Sequence, residues 1–158
     1  MTRVAALFLA CLALAAPAWA TEEPRLLAQV PLVPPTENLP DDIADLVYAF
    51  WPEYYNGYGE NAFTRDNLRL GRTDLNGDGK AELVLLVDSP SWEAAQGFPF
   101  VVAQWRKGRW FAIGWSWGDE DTVFVTSESH DGWHSLDSGK VVLRWQGKQY
   151  KPEEKAAP

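Results

Sequence analysis

The sequence predicts an α+β fold, mostly an antiparallel β meander with one short N-terminal helix. Three observations carry that expectation. From Asn67 onward, runs rich in β-branched and aromatic residues are punctuated by Gly, Asn, Asp and Ser, the pattern of strands and turns. Before Asn67, Ile43, Leu46, Val47 and Phe50 repeat at the spacing of one buried helical stripe. The chain has 158 residues, 46% hydrophobic and 13% aromatic, which suits the core of one domain and argues against disorder.

Taken in chain order, residues 1–20 read as a secretory signal peptide. Arg3 gives the positive start, residues 4–16 form an apolar stretch, and Ala18-Trp19-Ala20 is a small-x-small cleavage site. The apolar stretch falls well short of the ~20 residues that span a bilayer. No later segment is long and apolar enough to cross a membrane. The single cysteine, Cys11, leaves with this leader, so the mature chain forms no internal disulfide. A lipoprotein route through Cys11 would follow a very short apolar run. The expected location is periplasmic or secreted.

Residues 21–40 form a Pro-rich arm, with Pro24, Pro31, Pro34, Pro35 and Pro40 favouring an extended tether. The alternative is an arm packed along the domain through Leu26, Leu27, Val30, Leu32 and Val33. The domain itself spans 41–152. Asp41 caps the helix and Pro52 stops it, and the Gly- and Asn-rich stretch 54–59 reads as a loop. Strands are expected at 68–73, 83–87, 98–105, 110–117, 122–126 and 141–145. Two hairpins echo each other around Lys107-Gly108 and Gly147-Lys148, each with an aromatic on both sides of a Gly turn. Residues 153–158 read as a frayed tail.

The most informative segment runs Asp74-Leu75-Asn76-Gly77-Asp78-Gly79-Lys80-Ala81-Glu82. Oxygen side chains fall at its first, third and fifth positions, and Gly79 follows where a sharp turn is needed. Lys80 can offer its backbone carbonyl, and Glu82 adds a further carboxylate. Calcium takes six to eight hard oxygens and tolerates irregular geometry. Without a cation, three carboxylates in so small a volume repel one another. A strict EF-hand would end in a bidentate Glu where this chain has Leu85, inside an apolar run that reads as a buried strand. The other reading is a polar turn whose Asp and Asn side chains close onto their own backbone.

This segment resembles the Asp-x-Asn-x-Asp-Gly-x-x-Asp/Glu cation loop of FG-GAP (integrin-type) repeats, in which a strand–loop–strand unit holds Ca²⁺. The resemblance implies side-chain ligands at Asp74, Asn76, Asp78 and Glu82 and a carbonyl ligand at Lys80. Such repeats come in sevens around a propeller, whereas this chain has one, so neither propeller nor adhesion function follows. The order of a single loop, aromatic hairpins and a late Trp-Gln-Gly-Lys-Gln-Tyr is similar to small uncharacterised exported bacterial proteins.

Other candidate chemistry is thinner. His130 and His134 flank Asp131-Gly132-Trp133; a helix would bring them onto one face for zinc, but Gly132 and the nearby serines disfavour one. Asp119, Glu120 and Asp121 follow Trp115-Ser116-Trp117 and could pair as glycosidase acids; on a turn such neighbours point apart into water. No Gly-x-Ser-x-Gly elbow and no nucleotide-binding glycine pattern occurs. Among nine Trp, Trp115 and Trp117 share one side of an extended stretch and could form a platform for a partner. The net charge of −8 argues against nucleic acid as the main partner. The expected function is an exported, non-enzymatic calcium-binding module whose aromatic surface engages an unknown protein or glycan of the envelope. The alternatives are a small cell-envelope hydrolase using Glu120 or Asp121 with a His, and a structural or inhibitor-like protein with an empty loop.

Overall fold

A computed structural model describes residues 24–36, 43–48, 50, 65–90, 93, 95, 97–118, 123–139 and 141–155. The signal sequence, the cap at Asp41, the stop at Pro52, the 54–59 loop, Glu120 and Asp121 lie outside the described residues. The described chain is mostly antiparallel β-sheet. Its helix, α1 (Ile43–Tyr48), has six residues and lies within the predicted stripe.

The strands form two sheets rather than one meander. One holds, in order, β1 (Leu26–Val30), β6 (Val123–His130), β7 (Trp133–Asp137), β8 (Val141–Trp145) and β9 (Tyr150–Glu154). The other holds β2 (Leu68–Thr73), β3 (Glu82–Val87), β4 (Phe98–Arg106) and β5 (Arg109–Gly118). Each hairpin-linked run is itself a meander, and every strand pair is antiparallel.

The period-two alternation of side chains assigns the core. Val84 and Leu86 of β3, with Phe98, Phe100 and Val102 of β4, face Val125, Leu136, Leu143 and Tyr150 of the other sheet. Leu83, Leu85 and Val87 face the opposite way and pack with Leu46 and Val47 of α1. Strand β3 is therefore buried on both faces, as its unbroken apolar run requires. In β5, Ile113 is the extra residue of a bulge: Ala103 pairs with Ala112 and Val102 with Gly114. The bulge inverts the parity of the strand. It thereby puts Trp110, Trp115 and Trp117 on the same helix-side face.

Three expectations are corrected. Residues 24–36 are not a free tether: Leu26–Val30 pairs with β6, and Val33 then bridges Leu70 of β2. Gly71 permits this crossing, since a Cβ there would lie 2.5 Å from Val30 Cγ1 and 2.9 Å from the Pro31 carbonyl. Residues 133–137, where no strand is expected from the sequence, are strand β7, joined to β6 by a tight turn with φ of 50° at Asp131 and 81° at Gly132. Strand β9 carries Glu153 and Glu154, which the sequence assigns to the tail. Among the described residues, no helix is long and apolar enough to cross a membrane.

Candidate metal loop

The 74–82 loop joins β2 to β3, so two paired strands fix its ends. Gly77 and Gly79 sit at φ of 72° and 82°, the left-handed region that Gly enters without strain. Those bends turn a row of backbone amides inward. Asp74 Oδ1 accepts from Gly77 N–H at 2.8 Å and Asp78 N–H at 3.2 Å, and its Oδ2 accepts from Gly79 N–H at 2.8 Å. Asn76 Oδ1 accepts from Asp78 N–H at 2.9 Å, and Asp78 Oδ1 from Lys80 N–H at 2.8 Å. The amide of Gly79, with help from Gly77, Asn76 and Asp78, holds the Asp74 carboxyl below the usual range. Asp74 is therefore an anion at neutral pH.

Two other side chains of the loop, Leu75 and Glu82, turn into the protein. Leu75 is fully buried in the core between the sheets, and its carbonyl accepts from His134 N–H of β7 at 2.8 Å. Glu82 shares the parity of Val84 and Leu86 and is 1% exposed. Its Oε2 accepts from Leu75 N–H at 2.9 Å and its Oε1 from Gln104 Nε2 at 3.1 Å. Burial raises its pKa, and the charges of Asp78 and Asp74 push the same way. Gln104 Oε1 in turn accepts from Arg106 Nε, so a polar chain links the loop to the tip of the β4–β5 hairpin.

Comparison with known proteins finds no relative. No family model, curated protein or solved structure matches the chain.

The structure thus gathers Asp74, Asn76 and Asp78 at the loop with the Lys80 backbone, and places Glu82 behind them as a buried lock. Among the described residues, no group of three or more His, Cys, Asp or Glu stands as a ready metal cage. Leu75 and Gln104, the partners of Glu82, were not singled out by sequence reasoning. Leu75 carries a signal, an apolar residue inside an acidic loop, whereas Gln104 is legible only once β3 and β4 are paired.

The other predicted residues lie elsewhere. Trp115 and Trp117 do share a face, half-buried against the core under α1, with Trp115 6.0 Å from Phe50 between ring centroids. His134 Nδ1 contacts the Thr126 carbonyl at 3.0 Å, whereas His130 Nε2 contacts Glu128 Oε1 at 3.3 Å. The two histidines hold separate partners. Glu128, unremarked in the sequence, also accepts from Arg144 Nε at 2.9 Å, and that hydrogen bond holds its carboxyl below the usual range.

Proposed function

We propose that this chain is an exported, non-enzymatic module whose 74–82 loop takes up calcium, with an aromatic surface for a partner in the periplasm or outside the cell. One observation carries the calcium reading. Oxygens at alternate positions are presented by a loop that two positive-φ glycines fold tightly and two strands hold at its ends. Asp78 Oδ2 accepts no hydrogen bond among the described residues, and Asp74 Oδ2 accepts only one, so acceptor capacity remains. Asp74, Asn76 and Asp78 would hold the ion, with the Lys80 carbonyl. Bound calcium would neutralise the carboxylates and pin the β2–β3 turn, a stabilising rather than a chemical role. Glu82, engaged by Leu75 and Gln104, positions the loop from behind and belongs to the ligand set that the FG-GAP resemblance implies.

Thermal denaturation tests this reading. A ligand that binds only the folded state raises Tm by mass action. Millimolar calcium should therefore raise the melting temperature over that in chelator. Asp74→Ala with Asp78→Ala should abolish the difference. Identical wild-type melts in calcium and chelator would leave the loop as a turn closed on its own amides.

A further inference from the structure

We propose that the β4–β5 hairpin tip is a docking point for an anionic phospholipid bilayer. The chain is acidic overall, at −8, yet this tip is cationic and aromatic. Arg106, Lys107 and Arg109 are all exposed, and so is Arg72 beside them on β2. None of the four forms an ion pair among the described residues, although Arg69, Arg144 and Lys155 do. Trp105 is 49% exposed, one of the few large apolar side chains left to solvent.

These groups are held in place. Trp105 pairs across the hairpin with Trp110 and meets it edge to face, ring centroids 5.3 Å apart. Arg72 lies over Trp110 at 5.2 Å and Arg109 over Phe111 at 4.3 Å. The turn has φ of 50° at Lys107 and 81° at Gly108, the twisted two-residue type that keeps the strands paired to the tip. A rigid indole, with cations on both faces of the same hairpin, is therefore presented without a further ordering step.

Shape selects the occupant. Residues 105–109 are exposed without a break, so the tip is convex. An acidic peptide or a polysaccharide gains most of its contacts in a groove along its length. A bilayer interface needs none: an indole settles at headgroup level while Lys and Arg reach phosphate. Anionic lipid attracts each basic residue near its surface strongly enough that losing one weakens binding about fivefold.

The test is co-sedimentation of the protein, as the cell processes it, with vesicles of phosphatidylcholine alone or with one-third phosphatidylglycerol. It is run in chelator, so that calcium neither bridges carboxylates to lipid nor enters through the acidic loop. The protein should sediment with the anionic vesicles and not with the neutral ones. Arg106→Gln with Lys107→Gln and Arg109→Gln should weaken this more than about tenfold. Trp105→Ala should weaken it several-fold while still unfolding in one cooperative urea transition. Removing as many cations away from the tip (Arg25→Gln, Lys151→Gln, Lys155→Gln) should leave binding intact. Should the triple variant unfold, Trp105→Ala against the distant-cation variant decides. Equal binding to both vesicle types overturns the proposal. So does equal loss in the tip and distant variants, or binding to dextran sulfate with none to vesicles.

Discussion

The buried carboxylate of Glu82 accepts the Leu75 amide at 2.9 Å, so an acid near the end of the 74–82 loop locks a residue near its beginning. Two donors converge on that one side chain, Leu75 N–H and Gln104 Nε2. Removing the acceptor strands both in the interior and leaves a void. Glu82→Ala should therefore cost about 3 kcal/mol, and Glu82→Gln, which retains one oxygen, less than about 1.5 kcal/mol. Urea denaturation checks both; an alanine variant as stable as wild type would remove Glu82 from its structural role.

Glu82 and Asp74 should give opposite pH signatures. Burial raises the Glu82 pKa from 4.5, so its contribution is fully present below that value and is lost as pH rises through the folded-state pKa. The Gly79 amide leads the lowering of Asp74 from 3.8, so its contribution is present above that value and is lost as pH falls through the folded-state pKa. In a Tm profile, wild type should lose ground to Glu82→Gln as pH rises above 4.5. It should lose its advantage over Asp74→Asn only below 3.8. Parallel profiles for all three proteins would contradict both assignments.

Two glycines should fail for different reasons. A Cβ on Gly114 would meet Tyr150 Cβ at 2.4 Å, forcing β5 and β9 apart, and Gly114→Ala should cost about 2–3 kcal/mol. A Cβ on Gly79 meets nothing within 4 Å, but its φ of 82° is strained for L residues, so Gly79→Ala should cost roughly 1–2 kcal/mol. Chemical denaturation of the two variants gives the comparison. Near-neutral Gly114→Ala would mean that the sheets are less closely packed there.

Trp115 packs half-buried on the α1 side of its sheet, whereas Trp105 projects from the hairpin tip. Trp115→Ala should therefore destabilise by about 2–3 kcal/mol and Trp105→Ala by under about 1 kcal/mol. Paired thermal melts give the order. The reverse order would make Trp115 the surface residue.

Local pattern was legible where burial is extreme or a turn residue is obligatory. The apolar run at Leu83 to Val87 announces a strand covered on both faces, and Gly108 and Gly147 mark their hairpins. Strand β7 was hidden because Trp133-His134-Ser135-Leu136 does not alternate apolar with polar, and Ser135 and Leu136 are both buried. Strands β1 and β9 were hidden by flanking or internal prolines, which sheet edges tolerate. The division into two sheets leaves no local trace, because it depends on pairings such as Val30 with Val123. At the candidate site the oxygen spacing was plain. The inward turn of Glu82 follows from its parity with Val84 and Leu86, and is visible only after β3 is known to be buried.

Strand β1 has a consequence for the order of events. Its register partners run from Val123 to Thr126, and Arg25 N–H reaches Ser127 Oγ 102 positions away. The earliest described strand to leave the ribosome thus lacks its hydrogen-bonded partner strand until most of the polypeptide has been made. The arm that fastens one sheet to the other must wait, and the molecule stays unlatched through nearly the whole of its synthesis.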